Sequence, residues 1–337
     1  MAEAMNFPFS RKPVEAPPDV GPSQRARRVA VVLGAGAARG WSHIGVMREL
    51  TAMGLRPDIV VGASIGAVIG ACYAAGKLDG IEEFAREMTK RRMFGLLDLS
   101  FNGGGLIGGE RLRKRLDAAL GETRIEHLPI QFASVATEIG SGNEIWLSKG
   151  RLVDAVCASY ALPGVFEPVR IGGRWLFDGA IVNPIPITVA RALGADTVIA
   201  VSIVGDGAGR GAPIPHEPDD EEPPSTAAVP VAPPAGMLSS LTHTATTVLR
   251  RQWASGRGAD APGLASVMVN AFNITQDRIT RARLAGDPPD AMITVKVGPI
   301  GIFEFHRAAE LIEMGREGVR RAREDILAVA DIETPAQ

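Results

Sequence analysis

The sequence predicts an α/β fold, with a mainly parallel central sheet and helices on both faces in a three-layer α/β/α arrangement. Short runs of β-branched and other apolar residues, typical of buried strands, alternate along the chain with segments of helical periodicity. Gly-rich turns follow the first two of these strands and precede helices. Such alternation of strands and helices is the pattern of α/β domains.

The predicted elements follow one another from residue 29 to residue 326. The first strand is VAVVL at 29–33, and a helix follows its Gly-rich turn and continues through Leu50. DIVV, from residue 58, is the second strand, and IGAVIGACYAA is the helix after it. Further helices are predicted near 80–90, 109–120 and 151–160 and over 303–326, and further strands over 130–137, 143–148, 196–203 and 291–297.

The composition indicates a globular protein and argues against a nucleic-acid binder. Apolar residues make up 46% of the 337 residues, enough for a sizeable core, and the formal charge is only −2. Nucleic-acid-binding proteins usually carry a strong basic excess, so we expect no nucleic acid partner. Cys72 and Cys157 both lie in apolar segments, and we interpret them as reduced thiols of the core.

Two segments are too rich in proline and charge to bury an apolar core of their own. They are residues 1–28 and residues 205–236, and we predict that both are disordered. A strand and a helix are still predicted after the second segment. We therefore expect a single domain over 29–330 that carries a disordered insert at 205–236. A linker between two domains is the alternative interpretation of that segment.

Apolar runs give no sign of export or of a membrane-spanning helix. The N-terminus has no apolar run of signal-peptide length, and no stretch of the chain is apolar for long enough to cross a bilayer. We expect a soluble cytoplasmic protein, with peripheral membrane contact and oligomerisation left open.

MLSSLTHTATTVLRRQW, at 237–253, is mildly amphipathic. We favour packing of this segment on the sheet or on a partner chain over a position on a membrane.

Ser64 lies between the second strand and the helix after it, in the pattern Gly62-x-Ser64-x-Gly66. In a chain this rich in glycine the bare G-x-S-x-G pattern is weak, and a close-packed turn without chemistry would show it too. The setting is more informative, because an abrupt strand end, small neighbours and a helix start are the parts of a nucleophile elbow. Free N–H groups at that helix start favour negative charge. Ser64 is therefore a candidate nucleophile.

A second Gly-rich turn, GAGAARG at 34–40, follows the first strand. A dinucleotide-binding loop has the same setting, but Arg39 occupies a position that such a loop gives to Gly or Ala. The second strand also ends without the acidic residue that would hold the ribose. The alternative use of the turn is an oxyanion hole, in which backbone N–H groups at a helix start point at a developing negative oxygen.

Two residues are candidates for the base that a nucleophilic serine needs. The order Ser64, Asp178, His306 is that of an α/β-hydrolase triad, but His306 lies in or at the start of a predicted helix rather than on a loop. Asp178 follows a short apolar strand and precedes Gly179, which is also the pattern of an ordinary turn. A close and partly desolvated carboxylate can activate a serine, because burial raises its pKa.

Three segments in order resemble the patatin-like phospholipase family: GAGAARGWSHIGV after the first strand, GASIG after the second, and DGA at 178–180. ASYALPGVFEPV, which leads into DGA, and the C-terminal VGPIGIFEFHRAAELIEMG are similar to that family as well. The resemblance covers residues 28–200 best. It implies a patatin-like fold and a Ser–Asp dyad, in which Ser64 is the nucleophile and Asp178 the base.

The resemblance also implies that backbone N–H groups of the Gly-rich loop form the oxyanion hole. Arg39 matches the basic position of the family's G-G-G-x-R/K-G pattern, but this loop has one residue more before the final glycine. Which amides point into the hole therefore stays open at this point. The candidates are Gly34, Gly36, Ala37, Ala38, Arg39 and Gly40.

The function that the resemblance implies is hydrolysis of the acyl esters of lipids, of the phospholipase A, lysophospholipase or esterase type. Such a reaction proceeds through an acyl-enzyme and needs no metal or organic cofactor. Two alternatives remain from the sequence. One is a lipid-binding or regulatory protein on the same fold with little turnover, and the other is an esterase that uses a Ser–Asp–His triad.

Overall fold

The computed structural model describes residues 27–92, 105–107, 109–205, 264–298 and 300–330. The disorder predicted for 1–28 and 205–236 falls on residues outside these ranges, except for Arg27, Arg28 and Gly205. The amphipathic segment at 237–253 lies outside the described residues too.

Strands and helices alternate along the chain, and most strands are short. The strands of the described residues are β1 (Val29–Leu33), β2 (Ile59–Ala63), β3 (Gly105–Ile107), β4 (Gln131–Glu138), β5 (Glu144–Leu147), β6 (Gly164–Phe166), β7 (Val169–Ile171), β8 (Arg174–Asp178), β9 (Thr197–Gly205) and β10 (Ala291–Gly298). The α-helices there are α1 (Ser42–Ala52), α2 (Ile65–Ala74), α3 (Leu78–Arg86), α4 (Glu110–Leu120), α5 (Leu152–Tyr160), α6 (Ile187–Ala192), α7 (Leu264–Gly286), α8 (Ala308–Arg321) and α9 (Arg323–Val329). Short 3-10 helices occupy Ala37–Trp41, Ile125–His127, Gly179–Ile181 and Phe305–Arg307.

Eight strands form one mixed sheet in the order β10-β9-β1-β2-β4-β8-β7, with β5 paired to β4. β10, β9, β1, β2 and β4 are parallel neighbours, whereas β5, β8 and β7 add antiparallel pairs at one side. β3 and β6 make a separate parallel pair. The mainly parallel sheet predicted from the sequence is confirmed.

Apolar side chains fill both faces of the sheet. Val31 belongs to the larger core cluster, which includes residues of α1, α2, α5 and α8. Val32 belongs to the smaller cluster, which includes residues of α6. Neighbouring residues of a strand point to opposite faces, so helices on both sides are needed to cover β1. The predicted three-layer α/β/α class is therefore confirmed.

α1 packs directly against α8 through two glycines. A Cβ at Gly45 would lie 1.8 Å from the carbonyl oxygen of Ile312, and one at Gly315 would lie 1.9 Å from that of Ser42. These distances leave no room for a larger residue without a backbone shift. The helix after the Gly-rich loop is thus fixed against a helix near the end of the described chain.

The pairing of β4 brings the ends of β2 and β8 together. On one edge of β4, Val135 pairs with Ala63 of β2, and on the other edge it pairs with β5. The next residue, Ala136, pairs with Asp178 of β8 on the first edge and with β5 on the other. β2 and β8 therefore share one edge of β4, and because β8 is antiparallel the two strands run towards each other. Ser64, the residue after β2, meets the last residue of β8.

The C-terminal helical region differs from the sequence prediction of one helix over 303–326. The chain there forms the 3-10 turn Phe305–Arg307 and then two helices, α8 and α9. The Glu304 carboxylate accepts a 2.8 Å hydrogen bond from the Gly301 N–H, which closes a turn just before the helix. His306 consequently lies in that short turn and not inside an α-helix.

Candidate active site

The chain turns sharply at Ser64, between β2 and α2. Ser64 has φ 55° and ψ −123°, and Ala37 is the one other non-glycine residue with positive φ in the described ranges. The Ser64 N–H donates to Ser159 Oγ at 3.0 Å, and that hydroxyl donates to the Val135 carbonyl at 2.6 Å. A residue in this sparsely allowed region persists only where its surroundings hold it, as at functional sites.

Gly62 and Gly66 let the backbones around Ser64 approach closely. A Cβ at Gly62 would lie 2.4 Å from the Ala67 nitrogen, and one at Gly66 would lie 2.1 Å from the Leu33 carbonyl oxygen. Neither position can hold a larger residue unless the backbone moves. The two glycines predicted for a nucleophile elbow therefore stand where β1, β2 and α2 converge.

Asp178 ends β8 directly beside Ser64. Ser64 Oγ donates a 2.7 Å hydrogen bond to Asp178 Oδ2, and the Ala180 N–H donates to Oδ1 at 2.8 Å. The backbone of Asp178 is fixed as well, because its N–H donates to the Ala161 carbonyl and its carbonyl accepts from Thr137 Oγ1, both at 2.9 Å. One carboxylate oxygen is thus held by the backbone while the other contacts the serine hydroxyl.

Burial raises the pKa of Asp178 from 3.8 to about 7. The residue is only 2% exposed, and loss of hydration disfavours the charged carboxylate. The hydrogen bonds from Ala180 and Ser64 lower the pKa but do not cancel the effect of burial. A carboxylate with this pKa is a stronger base than an exposed aspartate and is suited to accept a proton near pH 7.

The Gly-rich loop after β1 is clamped by hydrogen bonds from most of its amides. Gly36 and Ala37 are the exceptions, because their N–H groups donate to no acceptor in the part of the chain that the structure describes. Ala37 has φ 49°, so these amides stand at the second strained position of the backbone. Four neighbouring N–H groups donate to carbonyl oxygens at 2.9 to 3.2 Å: Gly34 to Val201, Ala35 to Pro184, Ala38 to Ile302 and Arg39 to Gly36.

Two further residues of the loop tie it to neighbouring elements. A Cβ at Gly40 would lie 2.0 Å from Ile65 Cγ2, so the loop touches the residue that follows Ser64. Arg39 Nε donates to the Ile300 carbonyl at 2.6 Å. Together with the bond between Ala38 and Ile302, this contact anchors the loop to the segment after β10.

His43, in α1, supports the loop from inside the core. Its Nε2 lies 2.7 Å from the Gly34 carbonyl oxygen, and its side chain is fully buried. Burial lowers the pKa of His43 from 6.5 to about 4, although the bond to Gly34 acts in the opposite direction. The imidazole is therefore neutral near pH 7, and Nε2 carries the proton because a carbonyl can only accept. From the sequence, His43 is expected to pack or cap within this helix, but its bond to the Gly34 carbonyl could not be predicted.

His306 takes no part in the contact between Ser64 and Asp178. Those two side chains bond directly, whereas a Ser–His–Asp triad places an imidazole between them. Among the described residues, the buried Nδ1 of His306 has no hydrogen-bond partner. Ser159, which does contact Ser64, lies in the ASYALPGVFEPV segment, but its contact could not be read from the sequence.

Cysteines, possible metal ligands and possible membrane-spanning helices are the other features of interest in the described ranges. Cys72 and Cys157 are free and buried, as the sequence predicts. No group of three or more His, Cys, Asp or Glu side chains within those ranges could hold a metal ion. The helices described there include none that is both long and apolar enough to cross a membrane.

Known proteins resemble this chain over the region that holds the site. Residues 31–191 match the family model described as patatin-like phospholipase, and they include Ser64 and Asp178. A protein of Mycobacterium tuberculosis (strain ATCC 25618 / H37Rv), described as an uncharacterised NTE family protein, is 34% identical over 88% of this chain and 91% of its own. Patatin-like phospholipase domain-containing protein 6 of Mus musculus is 35% identical over 52% of this chain and 13% of its own length.

The solved structure of VipD from Legionella pneumophila is similar with a TM-score of 0.44 and 13% identity, over 88% of this chain and 66% of VipD. The match to the family model and the 34% identity along nearly the whole chain are the findings that assign a family. This chain belongs to the patatin-like phospholipase family.

Proposed function

We propose that the protein is a serine hydrolase that cleaves acyl ester bonds of lipids, with Ser64 as nucleophile and Asp178 as base. The observation that carries the proposal is the 2.7 Å hydrogen bond from Ser64 Oγ to Asp178 Oδ2. The pKa of about 7 for this carboxyl group supports its use as a base. The family implies a lipid acyl hydrolase, and this pair of side chains supplies the nucleophile and base that such a reaction needs.

The reaction proceeds in two halves. In the first, Asp178 accepts the hydroxyl proton while Ser64 Oγ attacks the ester carbonyl carbon, and the alcohol leaves with the proton that Asp178 returns. In the second, Asp178 accepts a proton from a water molecule that attacks the acyl-enzyme. The carboxylic acid leaves, and the proton returns to Ser64 Oγ. One carboxylate in direct contact with the nucleophile can serve both halves without a third residue.

The oxyanion of each tetrahedral intermediate binds the N–H groups of Gly36 and Ala37 in this proposal. The hydrogen bonds made by the amides on either side hold the loop in place, so these two donors are oriented before substrate arrives. Removing one donor of such a hole typically raises the barrier by about 3 kcal/mol. The N-terminus of α2 adds partial positive charge at Ser64. Arg39 positions the loop through its bond to Ile300.

Apolar residues beside the loop are suited to an acyl chain. Ile203 Cδ1 lies 2.9 Å from the position of a Cβ on Gly36, which places this partly buried side chain next to the proposed donors. Phe303 is exposed and follows Ile302, whose carbonyl accepts from the loop. We assign the acyl chain of the substrate to this side of the loop, with the ester carbonyl between the loop and Ser64.

A panel of phospholipid, lysophospholipid and short-chain esters, assayed with wild type and Ser64→Ala, tests the proposal. Wild type should release carboxylic acid from at least one class, and Ser64→Ala should release none above the uncatalysed rate. Ser141→Ala, in an exposed turn, is the matched control and should retain full activity. Undiminished hydrolysis by folded Ser64→Ala contradicts the proposal. Tight lipid binding without turnover by wild type would instead favour a binding protein on the same fold.

A further inference from the structure

Two tryptophans of β5 and β8 expose their rings, although most large apolar side chains of the described residues are buried. Trp175 is 52% exposed, Trp146 is 45% exposed, and the neighbouring Ile139 is 44% exposed. Aromatic side chains are enriched among the residues of interaction surfaces. We call Ile139, Trp146 and Trp175 the tryptophan rim.

Strand register places the two rings on one face of the sheet. Trp146 pairs with Val135, and Phe177 pairs with Thr137. Val135 and Thr137 are two positions apart on β4, as Phe177 and Trp175 are on β8. Alternate residues of a strand share a face, and so do residues directly opposite one another in an antiparallel pair. Trp146 and Trp175 therefore project from the same face.

The tryptophan rim lies at the end of the sheet that carries the proposed catalytic pair. Trp175 precedes Asp178 by three residues of extended chain, or about 10 Å. The Ile139 N–H donates to the Trp175 carbonyl at 2.8 Å, which continues the pairing of β8 beyond the end of β4. β8 is antiparallel to β2, and Trp175 is near the start of β8. Trp175 therefore lies beyond Ser64 in the direction in which β1 and β2 run. A substrate that approaches the ends of these strands meets this rim.

Charged groups around the tryptophan rim are balanced in number. Arg170 lies 5.8 Å from the centroid of the Trp175 ring, and Arg174 pairs with Glu138 at 3.6 Å. Glu167 lines the same depression as Trp175. The two cations and two anions around Trp175, and the Glu144–Arg283 ion pair beside Trp146, give no net attraction to an anionic surface. The exposed apolar rings therefore dominate the contacts that this surface can make. Indole rings beside guanidinium groups suit the boundary between the head groups and acyl chains of a phospholipid bilayer.

We propose that the tryptophan rim is the surface by which this protein rests on a phospholipid bilayer, with zwitterionic head groups sufficient for binding. This inference rests on the proposed function, because contact between the tryptophan rim and the bilayer places Ser64 next to esters that remain in the bilayer. A second copy of the chain seated on this rim would cover the end of the sheet at which such an ester enters. A lipid surface instead delivers the ester there.

Binding to phosphatidylcholine vesicles tests the inference. Sedimentation is measured in a Ser64→Ala background, so that no lipid is consumed, with and without Trp146→Ser and Trp175→Ser together. Removing two half-exposed indoles should weaken binding by roughly tenfold or more. Added salt or phosphatidylglycerol should change the affinity little, because burial of apolar area is hardly screened. Ile274→Ser, which removes a 61% exposed apolar residue of α7, should bind as the parent does.

Activity on a soluble short-chain ester separates this inference from the proposed function. With Ser64 present, the double tryptophan variant should keep that activity and lose hydrolysis of vesicle lipid, which also shows that it is folded. Hydrolysis that persists in Ser64→Ala would defeat the proposed function and leave the binding result standing. Three results would overturn the inference: unchanged vesicle binding by the double variant, binding only to anionic vesicles with release by salt, or a dimer that the double variant dissociates.

Discussion

Ala63 and Asp178 pair with adjacent residues, Val135 and Ala136, on the same edge of β4. The end of β2 therefore faces the end of β8, and Ser64 reaches a carboxylate 114 residues later in the sequence. In open α/β sheets the carboxyl ends of parallel strands are the usual place for a site. Here the antiparallel strand β8 meets that end from the opposite direction and carries Asp178, the proposed base.

The rate of ester hydrolysis should rise with pH through about 7. Asp178 must be ionised to accept the Ser64 proton, and its pKa of about 7 leaves it mostly protonated at lower pH. The measurement is kcat/KM for a soluble ester across the range from about pH 5 to about pH 9, where a single ionisation should appear. An apparent pKa near that of an exposed aspartate would show that the base is another group or that Asp178 is solvated.

Asp178→Asn should abolish hydrolysis and stabilise the fold at alkaline pH. The raised pKa means that the native state binds this proton more tightly than the unfolded chain does, so the free energy of unfolding of wild type falls as pH rises from about 4 to about 7. Asparagine carries no charge to desolvate. Urea unfolding at pH 8 should show a gain of at most about 4 kcal/mol, since one pKa unit corresponds to about 1.4 kcal/mol.

The gain in Asp178→Asn should be largely lost at about pH 4 and should vanish below about pH 3, where the wild-type carboxyl group is protonated in both the native and the unfolded state. Asp277→Asn, which removes only an exposed ion pair with Arg281 on α7, is the control and should change the free energy of unfolding by no more than about 0.5 kcal/mol at either pH. A loss of stability in Asp178→Asn at both pH values would mean that hydrogen bonding by this group outweighs its desolvation.

Gly66→Ala should prevent folding, whereas Gly80→Ala should be tolerated. The new Cβ at Gly66 would lie 2.1 Å from the Leu33 carbonyl oxygen, at the point where α2 and β1 approach. Gly80, in α3, has no atom within 4 Å of such a Cβ, and alanine there should stabilise the helix by about 0.5–1 kcal/mol. Thermal unfolding followed by circular dichroism distinguishes the two. Equal melting temperatures would show that the backbone at the junction of β1 and α2 can shift at little cost in stability.

His43→Leu should lower kcat by roughly ten- to a hundredfold with a small change in KM. Leucine leaves the buried Gly34 carbonyl without its donor, a loss of about 1–3 kcal/mol, and loosens the loop that presents Gly36 and Ala37. His43→Gln can still donate a hydrogen bond and should recover part of kcat. If both variants fall equally in stability but keep wild-type kcat, His43 has a purely structural role.

The sequence could predict the core strands and the turn at Ser64 because their signals are local, whereas Asp178 is assigned as a candidate base through the resemblance to the family. β-Branched runs predict β1, β2, β9 and β10, and the glycines around Ser64 report a close backbone approach that few other residues permit. The N–H groups of the Gly-rich loop that remain without an acceptor could not be predicted from such local signals. Gly36 and Ala37 are distinguished only because carbonyls of Pro184 and Ile302, far along the chain, accept from their neighbours.

The tryptophan rim and the turn at His306 escaped prediction for similar reasons. That Trp146 and Trp175 share a face follows from the register of two strands on opposite edges of β4, which neither strand encodes alone. Helical periodicity continues through FEFHR, so the sequence predicts a longer helix there. The bond between Glu304 and Gly301 instead closes a turn before α8 begins.

Reaction with a fluorophosphonate is the sharpest test that Asp178, and no histidine, activates Ser64. The rate and the site of phosphonylation are measured by mass spectrometry of the intact chain and its peptides for wild type, Asp178→Asn and His306→Ala. We expect a single modified residue, Ser64, with labelling lost in Asp178→Asn and unchanged in His306→Ala. Labelling at another residue, or its loss in folded His306→Ala, would show that Ser64 and Asp178 do not form a catalytic dyad.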